Sequence, residues 1–165
     1  MTKIAISYRR ADTEVMAGRI RDRLADRYGG DTVFMDIDDI PYGKDFRTHI
    51  FETIVQSDVL LVIVGQRWLG AGRGGTRRID NETDFVRLEV ETALSNAVPI
   101  IPVLVGSARM PQPTQLPESL KNLAFLNAAN RYRARFPPAY GPSDSRDRSD
   151  SGATCDEPRC QRVAR

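Results

Sequence analysis

Along most of the chain, short β-prone runs alternate with segments in which apolar residues recur every three or four positions. The β-prone runs lie at residues 4–6, 32–35, 59–64 and 100–105. The segments with the longer period lie at residues 15–24, 46–54 and about 82–97. A short apolar run is typical of a strand covered on both faces, whereas the longer period is typical of a surface helix. The pattern therefore predicts alternating strands and helices.

This alternation predicts an α/β fold with a parallel sheet of about five strands, doubly wound by helices on both faces in a flavodoxin-like arrangement. Ligands of such sheets bind at the carboxyl ends of the strands. Those ends carry residues 7–9, 36–43 and 65–78. We therefore expect these three loops to meet at one rim of the sheet.

The pattern weakens toward the end of the chain. A turn of helix is predicted at residues 118–123, followed by an edge strand at 123–126. From Pro137 onward the chain is mainly Pro, Ser, Asp and Arg, a composition that cannot offset the entropy lost on ordering. The sequence predicts one domain over residues 1–136 and a disordered polar tail over 137–165.

Charge and composition exclude several classes of partner. The chain has 24 basic and 22 acidic residues, a balance that does not indicate a nucleic-acid or membrane surface. Its apolar runs are far shorter than the roughly 20 residues that span a bilayer, and no apolar signal core is visible, so we expect a cytoplasmic protein. Cys155 and Cys160 lie in the tail without a nearby His, and neither a metal nor a bound cofactor is expected.

The helix predicted over residues 82–97 carries two acids in different settings. Its buried stripe is predicted to consist of Val86, Val90, Ala93 and Ala97. At about 100° per residue, Glu89 lies roughly 70° from the centre of that stripe and Glu91 roughly 130° away. Glu91 should face water, while Glu89 should lie at the border of the core. From spacing alone, a boundary residue paired with Arg or Lys is the commoner explanation of Glu89.

Three segments together closely resemble a bacterial Toll/interleukin-1 receptor (TIR) domain. They are residues 4–10 (IAISYRR), 33–46 (VFMDIDDIPYGKDF) and 84–94 (DFVRLEVETAL). The resemblance extends over roughly residues 1–130. TIR domains normally end with an amphipathic helix after the segment that resembles residues 126–128, and no such helix can be predicted here. The last helix is therefore expected to be missing, which would leave one face of the sheet partly uncovered.

The resemblance implies an enzymatic activity centred on Glu89. In active TIR domains this position of an aromatic-x-x-x-Glu pattern, here Phe85 to Glu89, is the catalytic glutamate, and the reaction is cleavage of the nicotinamide–ribose bond of NAD⁺. NAD⁺ is thus implied as the substrate and not as a cofactor. Nicotinamide leaves as a neutral base and needs no general acid. One ionised carboxylate can hold the ribose hydroxyls and stabilise the growing oxocarbenium-like charge.

Further substrate contacts are implied by the same resemblance. Phe85 would stack on a ring of the substrate, where the family more often has Trp, although an aromatic at a helix start is as often a core residue. Tyr8 and Arg9 would lie at the nucleotide pocket, and a guanidinium suits a pyrophosphate. Without the resemblance, Arg9 and Arg10 would be interpreted as a solvated pair with Asp12.

The acidic loop after the second strand resembles the BB loop of TIR domains. Its residues are Asp36, Ile37, Asp38, Asp39, Ile40, Pro41, Tyr42 and Gly43. In TIR proteins this loop packs into a neighbouring domain, and in the enzymes it helps to complete a pocket shared by two chains. The resemblance therefore implies an interaction loop at 37–43, substrate contacts from Asp36 and Asp45, and other TIR domains, including further copies of this chain, as partners. Composition alone predicts a tight turn with a helix cap at Asp45.

The connection at residues 65–80 invites two other interpretations. Residues 70–75 are rich in glycine, but the GxGxxG register fails at Gly75 and no helix opens there, so flexibility is favoured over a phosphate loop. Trp68 follows a buried strand, and we expect it to pack at the edge of the core.

Three functions are compatible with these features, and a fourth is set aside. The leading one is an NAD⁺ glycohydrolase that gives ADP-ribose or a cyclic product, activated by self-association and acting in antiphage defence. The alternative is a non-catalytic TIR interaction module or immune-evasion effector that uses residues 37–43. A phosphoacceptor receiver is set aside, because it needs acidic residues at the positions that Ser7 and Gly65 occupy. Nucleoside deoxyribosyltransferases also use a glutamate on a helix, and a comparison of nucleosides with NAD⁺ would separate them.

Overall fold

A computed structural model of the chain describes residues 2–35, 43, 45–71 and 75–130. The strands are β1 (Ile4–Tyr8), β2 (Val33–Met35), β3 (Val59–Val64), β4 (Ile100–Leu104) and β5 (Ala129–Asn130). The α-helices are α1 (Arg10–Tyr28), α2 (Phe46–Val55) and α3 (Phe85–Ser95). Short 3₁₀ helices cover Gly30–Thr32, Arg78–Asp80, Pro113–Gln115 and Glu118–Phe125. The predicted alternation of strands and helices is confirmed.

The strands form a parallel sheet in the order β2-β1-β3-β4-β5. β3 lies at the centre, where Leu60 stands beside Ala5 of β1 and Ile100 of β4. Four strands of three to six residues are joined by a fifth of only two residues, in agreement with the predicted sheet of about five strands.

The edge strand predicted at residues 123–126 is wrong, because these residues belong to the 3₁₀ helix Glu118–Phe125 and its cap. Leu120 and Leu123 are both buried in this helix, at the three-residue spacing of a 3₁₀ turn. The strand at the edge of the sheet is instead β5, which pairs with Val103 and Leu104 of β4.

Each face of the sheet has its own core. One core lies on the side of α2 and α3 and includes Ala5, Ile50, Leu60, Val62, Val90, Ala93, Leu120 and Leu123. The other lies on the side of α1 and includes Ile4, Ile6, Tyr8, Ala17, Val33 and Ile63. Alternate residues of a strand face opposite sides, which explains why neighbours along β1 belong to different cores. The doubly wound arrangement is therefore confirmed.

The α1 side of the sheet is covered unevenly. Val103 of β4 packs with the core on this side, and Ile101, two residues earlier on the same face, is 43% exposed. Ile101 is thus only partly covered. The expectation that the last helix is missing applies to residues beyond 130, which lie outside the described residues. The tail predicted at 137–165 lies outside them as well.

The helix ends follow local capping rules. Asp45 caps α2 as predicted, because its side chain accepts a hydrogen bond from the Arg47 amide at 2.9 Å. α3 begins at Phe85, three residues later than predicted, with Asp84 as its cap. Ala97, predicted in the buried stripe of this helix, is exposed beyond its end. In the part of the chain that the structure describes, none of the helices has the length and apolar character needed to cross a membrane.

Candidate active site

The carboxyl end of β1 and the first turns of α3 lie against each other. Ala5 belongs to the core under α2 and α3, so Ser7, two residues further along β1, faces the same side. Ser7 is fully buried, and its hydroxyl donates a hydrogen bond of 2.5 Å to Oε2 of Glu89. This contact brings together two residues that are 82 positions apart in the sequence.

Glu89 and Glu91 of α3 differ in burial as predicted, but Glu89 lies deeper than predicted. Its side chain belongs to the buried residues of the helix and is 7% exposed, so it lies inside the stripe and not at its border. Glu91 is partly exposed and accepts a hydrogen bond of 2.6 Å from Nε of Arg87. Burial of a carboxylate is costly unless hydrogen bonds support it, and Ser7 supplies one.

Arg9 lies just beyond β1 and is buried, in contrast to the solvated pair that the sequence alone predicts. Its two terminal nitrogens donate to the two carboxylate oxygens of Asp84, each at 3.0 Å. Its Nε donates to the carbonyl of Trp68 at 2.6 Å. The guanidinium is thus paired with Asp84 and not with Asp12, and three of its five N–H groups are directed into the protein.

Asp84 is a buried residue of this candidate site that was not predicted from the sequence. It caps α3 by accepting from the Arg87 amide at 3.2 Å, and Nε of Arg78 lies 3.5 Å from its Oδ2. An Asp directly before an apolar-periodic segment is a helix-start signal, which the expected start near residue 82 obscured. Asp84 therefore joins β1, the loop after β3 and α3.

Tyr8, the last residue of β1, belongs to the other side of the sheet. Its side chain is 8% exposed and packs in the core under α1. The structure thus places the Tyr8 side chain in this core, and its contact with the substrate stays a prediction. Neighbouring residues on a strand face opposite sides, so the burial of Ser7 toward α3 turns Tyr8 toward α1.

Phe85 presents an aromatic surface one helical turn before Glu89. Its side chain is 42% exposed, so it is not a core residue. The ring packs edge-to-face against Phe46, the first residue of α2, with 5.0 Å between centroids. The Arg47 guanidinium lies over the other aromatic ring of this pair, 5.6 Å from the centroid of Phe46. Asp45 lies next to this aromatic pair along the chain.

The loop after β3 approaches the start of α1 very closely. A side-chain carbon at Gly65 would lie 2.2 Å from Oδ2 of Asp12 and 2.4 Å from the Thr13 methyl group. The same Asp12 oxygen accepts a hydrogen bond of 3.0 Å from the Arg67 amide. Position 65 therefore has room only for glycine. Trp68, further along the loop, is buried in the core as predicted.

A cavity of about 350 Å³ opens where β3 and β4 end. Its walls come from residues 64–66, 68–69, 107–112 and 115, with Gln66, Ser107 and Gln115 among the polar side chains and Met110 among the apolar ones. The sequence analysis did not assign a role to residues 107–115, since only the pairing of β3 with β4 brings them beside the loop after β3. In the described ranges, no group of three or more His, Cys, Asp or Glu side chains is arranged to hold a metal ion.

Several predicted residues are outside the described part of the chain. Asp36 and residues 37–42 of the interaction loop are among them, and Gly43 alone of that loop is described, with a φ of 85°. Positive φ is readily adopted only by glycine, which accounts for this residue type in the loop. The substrate contacts of Asp36 and Asp45 and the interaction loop remain predictions.

Comparison with known proteins agrees with the fold and with the resemblance. The chain is 27% identical over 129 residues to a protein of Drosophila melanogaster, NAD(+) hydrolase sarm1. The match covers 77% of this chain but only 9% of that protein. This chain thus spans a small part of the length of that relative.

Two solved structures share the fold at low sequence identity. The TIR domains of the activated Roq1 resistosome, which recognises the pathogen effector XopQ, superpose with a TM-score of 0.60 at 13% identity, covering 82% of this chain and 90% of that chain. The TIR domain of the Toll-related receptor TRR-2 from Hydra magnipapillata gives a TM-score of 0.53 at 19% identity, covering 81% and 86%. A sequence model of the TIR domain matches residues 4–137. The chain belongs to the TIR domain family.

Proposed function

We propose that this protein is an NAD⁺ glycohydrolase of the TIR class. The observation that carries the proposal is the buried carboxylate of Glu89, held by Ser7 at the carboxyl end of β1, one turn after an exposed aromatic ring. The similarity to a protein named NAD(+) hydrolase supports the same reaction. The products are nicotinamide and either ADP-ribose or a cyclic form of it.

In this reaction the bond between C1′ of the ribose and the nicotinamide nitrogen breaks. The electron pair goes to the pyridinium nitrogen, so nicotinamide leaves neutral and without protonation. The carboxylate of Glu89 stabilises the positive charge that grows on the ribose and holds its hydroxyl groups. Attack of water at C1′, with loss of a proton, gives ADP-ribose, and attack by a nitrogen of the adenine gives the cyclic product.

The remaining parts of the proposal concern binding and regulation. Phe85 stacks on a ring of NAD⁺, and Asp45 lies beside the aromatic pair that this ring forms with Phe46. The loop at residues 37–43 joins copies of the chain and, with Asp36, completes the pocket. Activity therefore rises with self-association, in a cytoplasmic protein that depletes NAD⁺ in defence against phage.

The experiment follows nicotinamide release from NAD⁺ at several concentrations of the purified chain. Glu89→Ala is compared with Glu91→Ala, a change of the acid two residues further along the same helix that is partly exposed and paired with Arg87. We expect the rate to rise more steeply than linearly with protein concentration. Glu89→Ala should lower it by at least about 100-fold and Glu91→Ala by no more than about twofold. Equal rates in the wild type and Glu89→Ala would overturn the catalytic role.

One observation favours the alternative, a non-catalytic TIR interaction module. Glu89 is 7% exposed and hydrogen-bonded to Ser7, an arrangement that also suits a structural carboxylate. In that case the wild-type chain would release no nicotinamide at any concentration, while it would still associate with other TIR domains through residues 37–43. Sedimentation of the wild type and of a variant with a shortened loop, measured beside the nicotinamide assay, separates the two functions.

A further inference from the structure

Among the described residues, the hydroxyl of Ser7 donates a hydrogen bond to a carboxylate. Ser7 is fully buried in β1, and its Oγ lies 2.5 Å from Oε2 of Glu89. An ionised carboxylate only accepts hydrogen bonds, so the serine hydroxyl must be the donor. Hydrogen bonds to a charged oxygen are short and about twice as strong as neutral ones, which agrees with this distance.

The backbone on both sides of this contact is fixed by other interactions. Val86 and Val90, one turn before Glu89 and directly after it, are buried in the core. The start of α3 is attached to β1 by the Arg9–Asp84 ion pair, two residues beyond Ser7 along the chain. With the helix held in this way, the remaining freedom of Glu89 is rotation of its side chain. The hydrogen bond from Ser7 restricts that rotation.

We propose that Ser7 is a positioning residue for the reaction, which fixes the carboxylate of Glu89 in the orientation that stabilises the ribose cation. The proposal rests on the proposed function of Glu89. Since Ser7 is fully buried, it acts through Glu89 and does not touch the substrate. When a catalytic side chain is not held in its productive orientation, kcat falls, whereas substrate binding elsewhere in the site is affected little.

Ser7→Ala removes the hydroxyl and changes the packing by one oxygen atom. We expect kcat for nicotinamide release to fall about 10- to 100-fold, with KM for NAD⁺ changed by no more than about threefold. Ser7→Cys keeps the shape of the side chain with a somewhat larger atom and a weak donor, so its kcat should lie between those of Ser7→Ala and the wild type. This second variant tests the proposal even where the alanine variant folds poorly.

Ser57→Ala is the matched control. Ser57 is also a buried serine, and its hydroxyl donates to the carbonyl of Thr53 at 2.8 Å, at the end of α2 and away from Glu89. Each alanine variant loses one side-chain hydrogen bond, and Ser7→Ala should lower the thermal midpoint more than Ser57→Ala because its lost bond is to a buried carboxylate. Only the Ser7 variant should lose kcat. A Ser7→Ala variant with the kcat of Ser57→Ala would overturn the role of Ser7 and leave the proposed function standing.

A second measurement does not depend on turnover. In protein labelled with ¹³C in the glutamate carboxyl groups, the resonance that Glu89→Gln removes belongs to Glu89. We expect it to move in Ser7→Ala and to stay in place in Ser57→Ala, and a resonance unmoved in both variants would overturn the positioning contact. The wild-type chain could release no nicotinamide while the Glu89 resonance still moves in Ser7→Ala. That result would overturn both the proposed function and the catalytic role of Ser7, but it would confirm the contact between Ser7 and Glu89.

Discussion

Arg9 and Asp84 form a bidentate ion pair in which both side chains are buried. The two terminal nitrogens of Arg9 reach the two oxygens of Asp84 at 3.0 Å, although the residues are 75 positions apart in the sequence. Arg9 also holds the carbonyl of Trp68, in the loop after β3. The pair therefore ties the end of β1 and the loop after β3 to the start of the helix that carries Glu89.

Asp84→Ala should destabilise the fold strongly. It removes the cap of α3 and leaves the buried Arg9 guanidinium without its counter-charge, so we expect the free energy of unfolding to fall by about 3–5 kcal/mol. Unfolding in urea measures this change.

Asp80→Ala is the control for this prediction. Asp80 pairs with Arg77 at 2.8 Å, but both side chains are substantially exposed, so the loss should stay below about 1 kcal/mol. Equal losses for the two variants would show that the buried pair adds nothing beyond a surface ion pair.

Gly65→Ala should also be destabilising, for a steric reason. The new methyl group would stand 2.2 Å from Oδ2 of Asp12, an oxygen already bonded to the Arg67 amide. Displacement of Asp12 and Thr13 should lower the free energy of unfolding by about 1–3 kcal/mol, which a shift in the thermal midpoint reports.

Gly18→Ala provides the opposite case. Gly18 lies inside α1, and a methyl group there meets no atom within 4 Å. Alanine in a helix interior is favoured over glycine, so this variant should be more stable by up to about 1 kcal/mol. If Gly65→Ala were likewise stabilising, the close approach between the loop and α1 would not exist in solution.

Phe85→Ala tests whether the exposed ring binds NAD⁺. Loss of one aromatic stacking contact should raise KM about three- to tenfold, and Phe85→Trp should keep KM near that of the wild type. Steady-state kinetics of nicotinamide release measure both values. Phe51→Ala, which removes a comparably exposed phenylalanine from α2, should leave KM unchanged. A KM that rises equally in both alanine variants would speak against stacking by Phe85.

Local patterns in the sequence determined the first four strands and the three α-helices of this protein. The apolar run Val59–Val64 became the central strand, Asp45 capped α2, and the spacing of Val86, Val90 and Ala93 produced the buried stripe of α3. These features depend on neighbours a few residues away, such as a periodic apolar face or a side chain that accepts from a nearby amide. The resemblance of three segments to TIR domains placed Glu89 and Phe85 on one helix.

Only the tertiary structure decided which side chains meet. The contact of Ser7 with Glu89 and the pair of Arg9 with Asp84 depend on the face of β1 that each residue takes and on where α3 packs. The same geometry turned Tyr8 into the core under α1 and directed three of the N–H groups of Arg9 into the protein. Sequence spacing sets the period of a strand, but contacts between residues 75 or 82 positions apart are set by the packing of one element on another.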